Sequence, residues 1–152
     1  MRKFVFALAM LFLATNLQAQ ELLQGKYVNS ASARLTRLVD AANKDGYKLS
    51  NNSFSIGGGW LKQNTDWTPL YTIELQAGKE YRFVAVGDMD ARDVDLQVRD
   101  ANGNTVASDT STAPEAIVTY TPTKSGRYMV RLRLFASRDN VPCVCMAITL
   151  TR

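Results

Sequence analysis

The sequence predicts an all-β fold, an antiparallel jelly-roll-like β-sandwich of about 7–8 strands with one N-terminal α-helix. Three observations lead there. Between Lys79 and Phe135, apolar and polar residues alternate in strand-length runs, the pattern of a sheet with one buried face. Turn residues separate those runs at Gly87–Asp93, at Asn102-Gly103 and at Pro122–Gly126. Ahead of them, one stretch from Ala33 to Lys44 carries its apolar residues at helical spacing instead.

The N-terminus stands apart. Arg2 and Lys3 precede an uninterrupted apolar run, Phe4 to Leu13, and Leu17-Gln18-Ala19 offers a cleavage site. Residues 1–19 therefore read as a secretory signal peptide, too short and wrongly flanked for a membrane span. With no Cys beside the cleavage site, a lipoprotein anchor is not expected, and no later stretch is long and apolar enough to span a bilayer. The expected location is periplasmic or secreted, in a bacterium. Losing Arg2 and Lys3 lowers the formal charge from +4 to about +2, too little to argue for nucleic acid or an anionic membrane.

Residues 20–66 form an N-terminal helix and loop segment. Ser30 or Ser32 is placed to cap a helix whose Leu35, Leu38, Val39 and Ala42 make one apolar stripe. Gly46 stops it. Such a helix covers an end or edge of the sandwich, or presents its stripe to a partner. Gly57-Gly58-Gly59 reads as a flexible turn before Trp60, with no strand-to-helix context for phosphate binding. Trp60 and Trp67 flank Asn64-Thr65-Asp66, an aromatic and amide grouping able to stack on a sugar ring or simply to pack.

Residues 67–152 hold the sandwich. Strands are expected at Leu70–Gln76, Glu80–Val86, Val94–Arg99, Thr105–Ser108, Ala116–Thr121, Tyr128–Leu134 and Val144–Thr151. Val94, Leu96 and Val98 face inward while Asp95, Gln97 and Arg99 form a wet face. Tyr128, Val130, Leu132 and Leu134 face inward, leaving Met129, Arg131 and Arg133 outside.

Leu75-Gln76-Ala77-Gly78-Lys79-Glu80-Tyr81-Arg82-Phe83 resembles the opening L-x-x-G-x-x-Y-x-F of the bacterial pre-peptidase C-terminal domain. Asp93-Val94-Asp95-Leu96, Val98, Asp100 and Gly103 are similar to that family's central D-x-D-L-x-V-x-D-x-x-G, and Tyr120-Thr121-Pro122 with Gly126-Arg127-Tyr128-Met129-Val130 to its closing pattern. The resemblance covers about half the chain. It implies a jelly-roll-like sandwich that accompanies secreted peptidases, with relatives in clostridial collagenases that bind calcium and collagen. No attached catalytic domain is expected here, and the helix and a Cys-x-Cys ending depart from that family's usual arrangement.

Three constellations carry chemistry. Asp88, Asp90, Asp93 and Asp95 set four carboxylates within eight residues, a candidate calcium site or a loop whose carboxylates accept amide hydrogen bonds. Cys143 and Cys145 share a strand face, which leaves a local disulfide, a bridge to a second chain or two buried thiols. Arg131 and Arg133, with Arg82 and Arg99 on neighbouring strands, form a candidate basic strip for an acidic ligand, or a solvated face. The chain has no His, which removes Ser-His and Cys-His nucleophiles and imidazole metal sites. The expected function is an exported, non-catalytic binding or accessory module, calcium-stabilised if the acidic loop takes metal. Its ligand would be a protein or glycan, met by Trp60, Trp67, Arg131 and Arg133. The alternative is a structural protein that assembles with another exported protein or an extracellular polymer.

Overall fold

The computed structural model describes residues 24–50, 54–64 and 66–152; the expected signal peptide lies outside them. A helix, α1 (Gln24–Lys44), precedes eight strands. These are β1 (Ser55–Leu61), β2 (Thr68–Leu75), β3 (Tyr81–Gly87), β4 (Ala91–Arg99), β5 (Thr105–Asp109), β6 (Glu115–Tyr120), β7 (Gly126–Ser137) and β8 (Cys143–Thr151). They form two four-stranded antiparallel sheets in the orders β1-β8-β3-β6 and β2-β7-β4-β5, the double-sheet arrangement of a jelly roll. The expected fold class is the observed one.

One core lies between the sheets. Phe83, Ala85, Val94, Leu96, Val98, Val130, Leu132 and Leu134 are fully buried in it, as alternation along β3, β4 and β7 requires. A second apolar layer lies outside the first sheet, where Ala31, Leu35, Leu38 and Ala42 of α1 pack on Val84, Val86, Val144, Ile148 and Leu150. β3 and β8 are therefore buried on both faces, and their sequences read as near-continuous apolar runs. Asp45, Gly46 and Tyr47 donate backbone hydrogen bonds to the last turn of α1, and Gly46 takes a φ of 88°, the left-handed stop that glycine allows.

Two local expectations fail. The helix is already formed at Gln24, so Ser30 and Ser32 lie inside it and cap nothing. Its stripe extends backward through Ala31 and Tyr27, four residues apart, but polar Lys26, Asn29 and Ser30 obscure that period. Gly57-Gly58-Gly59 is not a turn: all three residues pair with β8 in the middle of β1. A Cβ on Gly57 would come within 2.6 Å of the Tyr71 ring, and one on Gly58 within 2.7 Å of the Cys145 carbonyl oxygen. Glycine is there so that the edge strand can approach its neighbours closely.

Candidate functional site

The outer face of β2-β7-β4-β5 is assembled by the antiparallel register of β4 and β7, which sets Asp95 opposite Arg133, Gln97 opposite Arg131 and Arg99 opposite Met129. Arg133 donates from Nε and Nη2 to Asp95 Oδ2 at 2.6 and 2.5 Å. Its guanidinium lies between two rings, with Cζ 4.9 Å from the centroid of Trp67 and 4.8 Å from that of Phe135. One cation thus orders two aromatic side chains on an outer face. Arg131 Nη2 donates to the Trp67 carbonyl at 3.0 Å, and Arg99 Nε donates to Gln97 Oε1 at 2.8 Å.

The expected wet face of β4 is a correction. Asp95 is 2% and Gln97 8% exposed, because Arg133 and Arg131 lie across them. Asp93, also buried, leaves Oδ1 without a hydrogen bond. Burial and then the neighbouring charge of Asp95 hold its carboxyl above the ordinary carboxylate range, against the pull of Arg133.

The structure separates the other candidates. Trp60 belongs to the opposite side of the sandwich, on the helix-covered sheet, where it meets Tyr27 edge to face at 5.5 Å. It is 44% exposed and, with Val28, Ile56, Val144 and Met146, lines an apolar groove of about 480 Å³. Trp60 and Trp67 therefore form no common platform, since β1 and β2 belong to different sheets. Arg82 is likewise absent from the basic strip: it projects from β3 beneath α1, 3.8 Å over the Tyr47 ring and 2.7 Å from Asp45 Oδ2. Arg99, Arg131 and Arg133 remain together.

The acidic residues are dispersed rather than convergent. Asp88 is fully buried, and its two oxygens accept from the backbone N–H of Asp90 at 2.9 Å and of Val144 at 2.6 Å. Its own N–H donates to the Val144 carbonyl, while Arg34 of α1 donates to the Gly87 and Asp88 carbonyls. Asp88 thus fastens the β3–β4 turn to β8 and to the helix. Asp90 pairs with Arg138 and Asp95 with Arg133. Among the described residues, no group of three or more His, Cys, Asp or Glu side chains is placed to hold a metal ion. With Asp88, Asp90 and Asp95 each bound to a separate protein partner, the cluster does not offer the six to eight shared oxygens of calcium.

Cys143 and Cys145 are free thiols with no exposure, both in the core between the sheets. Of the three arrangements that the sequence left open, this is the pair of buried thiols, without the local disulfide. Residues two apart on a strand have Cα atoms about 6.5 Å apart, at the limit for a bridge. Full burial also keeps them from a second chain. Burial, followed by the Asp88 charge, pushes the Cys143 thiol up to about 12, and burial raises Cys145 as well, so both stay protonated and unreactive.

Residues 68–134 match the family described as the bacterial pre-peptidase C-terminal domain. None of the curated proteins matches the chain. Among solved structures, it resembles a periplasmic inhibitor of g-type lysozyme from Aeromonas hydrophila at 13% identity, covering 68% of this chain and 90% of that one, with a TM-score of 0.48. It also resembles the pre-peptidase C-terminal domain of a Bacillus anthracis collagenase at 13% identity, covering 62% and 87%, with a TM-score of 0.47.

Proposed function

Since residues 68–134 are a bacterial pre-peptidase C-terminal domain, we propose that this protein is an exported, non-catalytic binding module that meets a protein or glycan ligand on the outer face of β2-β7-β4-β5. One observation carries the reading. The helix covers the outer face of one sheet, while the other outer face carries an ordered Trp67-Arg133-Phe135 stack beside Arg131 and Arg99. Ordering such side chains costs conformational entropy, and a stacked aromatic–arginine surface holds them ready for a ligand. The chain's lack of His and the protonated state of its buried thiols support the non-catalytic part. Export rests on the signal-like N-terminus and on the domain's bacterial family.

The test is binding to immobilised glycans and to collagen, with Trp67→Ala beside the wild type. Loss of binding in that variant, with unfolding unchanged, supports the open face; undiminished binding overturns it. A second reading, assembly with another exported protein through the helix side, is favoured by exposed Val28, Ile56 and Trp60 along one groove. Under that reading, Trp60→Ser rather than Trp67→Ala abolishes binding to the partner.

A further inference from the structure

We propose that one end of this open face is an anion site, built from Arg99, Arg127 and Arg131, that takes the carboxylate of an acidic sugar; the proposal rests on the open face being the ligand surface. The three arginines line a shallow cavity of about 610 Å³, with Pro69, Thr72 and Met129 beside them. Arg127 reaches Glu74 at 3.4 Å, but both side chains are about 70% exposed and the pair is weak. Among the described residues, Arg99 and Arg131 form no ion pair. Their donors go to neutral acceptors, the Gln97 amide oxygen and the Trp67 carbonyl, which orient the guanidiniums without neutralising them.

Arg131 records the consequence. Burial first, and then the charge of Arg99, push its guanidinium below its ordinary value, with no carboxylate acting the other way. An arginine stays charged even so, and the like charges remain uncompensated until an anion arrives. Asp100 also lines the cavity, but its oxygens are used within the β4–β5 turn. They accept from the backbone N–H of Asn102 and Asn104 and from Asn104 Nδ2, and these bonds hold the carboxyl low. It stays ionised, one negative charge against three arginines, with its oxygens bonded to the hairpin and not to the guanidiniums.

The surroundings select the class of ligand. A planar guanidinium fork matches a carboxylate in bidentate fashion. The cavity opens over β4 and β7, which are central strands whose backbone groups already serve ladders on both sides. Over those two strands an extended peptide finds no edge to pair with, and on the rim formed by edge strand β2 the lining Pro69 has no N–H to donate, so recognition falls mainly to side chains. Pro69 and Met129 supply apolar surface for the carbon face of a sugar ring beside the arginines.

The experiment is an NMR titration of the full chain with a glucuronate oligosaccharide, an uncharged glucose oligosaccharide and a glutamate-rich peptide. The glucuronate is expected to shift Arg99, Arg127, Arg131 and their neighbours, with an affinity that falls as salt rises. Arg99→Gln and Arg131→Gln should each weaken it about tenfold or more, the loss expected for one charged hydrogen-bonding group. Arg92→Gln, an exposed β4 arginine outside the cavity, should bind as the wild type does. Thermal unfolding checks that each variant folds. The anion site is overturned if the uncharged sugar binds equally, if both cavity variants bind like the wild type, or if the peptide binds more tightly than the glucuronate. Should the uncharged sugar shift Trp67 and Phe135 while glucuronate leaves the arginines untouched, the anion site falls and the open-face reading stands. Shifts confined to Val28, Ile56 and Trp60 would remove both.

Discussion

The two outward faces of this sandwich are built on similar strands and carry different side chains. On β1-β8-β3-β6, outward positions are Val84, Val86, Val144, Ile148 and Leu150, and α1 covers them with an apolar stripe. On β2-β7-β4-β5, outward positions are Asp95, Gln97, Arg99, Met129, Arg131 and Arg133, and no element of the described chain lies over them. The first face adds to the core. The second keeps its charges paired at one end, by Asp95 with Arg133, and unpaired at the other, at Arg99 and Arg131. Stability concentrates on the covered side, and the proposed recognition belongs to the open one.

Mutations on the covered side should have the largest effects. Leu35→Ala, at a buried position of α1 against the sheet, should cost about 2–5 kcal/mol in urea unfolding. A negligible loss would mean that the helix is an appendage. Asp88→Ala should follow at about 2–3 kcal/mol, since it strands the buried N–H groups of Asp90 and Val144.

Effects on the open side should be smaller and partly of opposite sign. Asp93→Asn should stabilise by on the order of 1 kcal/mol, by removing a buried charge with an unpaired oxygen. Because the folded state raises the Asp93 pKa, its ionisation opposes folding. The gain should therefore be absent below the unfolded carboxylate value, grow as pH rises through the raised one, and level off above it. Unfolding midpoints of both proteins from about pH 3 to 8 check this. Millimolar calcium or chelator should move the midpoint least of all, because Asp88, Asp90 and Asp95 already have protein partners; a shift of several degrees would restore the acidic loop as a metal site.

How far the sequence disclosed this division depends on where side chains report their surroundings. β7 was legible throughout, since Tyr128, Val130, Leu132 and Leu134 alternate with polar neighbours and are buried as that pattern requires. β1 was not, because three glycines carry no period, and their reason lies in Tyr71 and Cys145, distant along the chain. The same blind spot misplaced Trp60: assigning it to a sheet needs the pairing of β1 with β8, which no local signal contains. Arg131 and Arg133 were identifiable as outward-facing positions of a strand, and Trp67 as an aromatic beside a loop. The burial of Asp95 and Gln97 beneath two arginines was not, since alternation marks a polar position as outward without saying what lies over it. Asp88 was read as part of an acidic cluster, although its partner Val144 is on the last strand.

The most direct measurement sets the two faces against each other in one experiment: unfolding midpoint and glucuronate affinity for the wild type, Leu35→Ala and Arg131→Gln. Leu35→Ala should lower the midpoint and, at a temperature where it is folded, retain the affinity. Arg131→Gln should lose about tenfold in affinity with its stability changed by less than about 1 kcal/mol. Contradiction would come from the reverse pattern, with affinity following the helix variant and the arginine variant binding as the wild type.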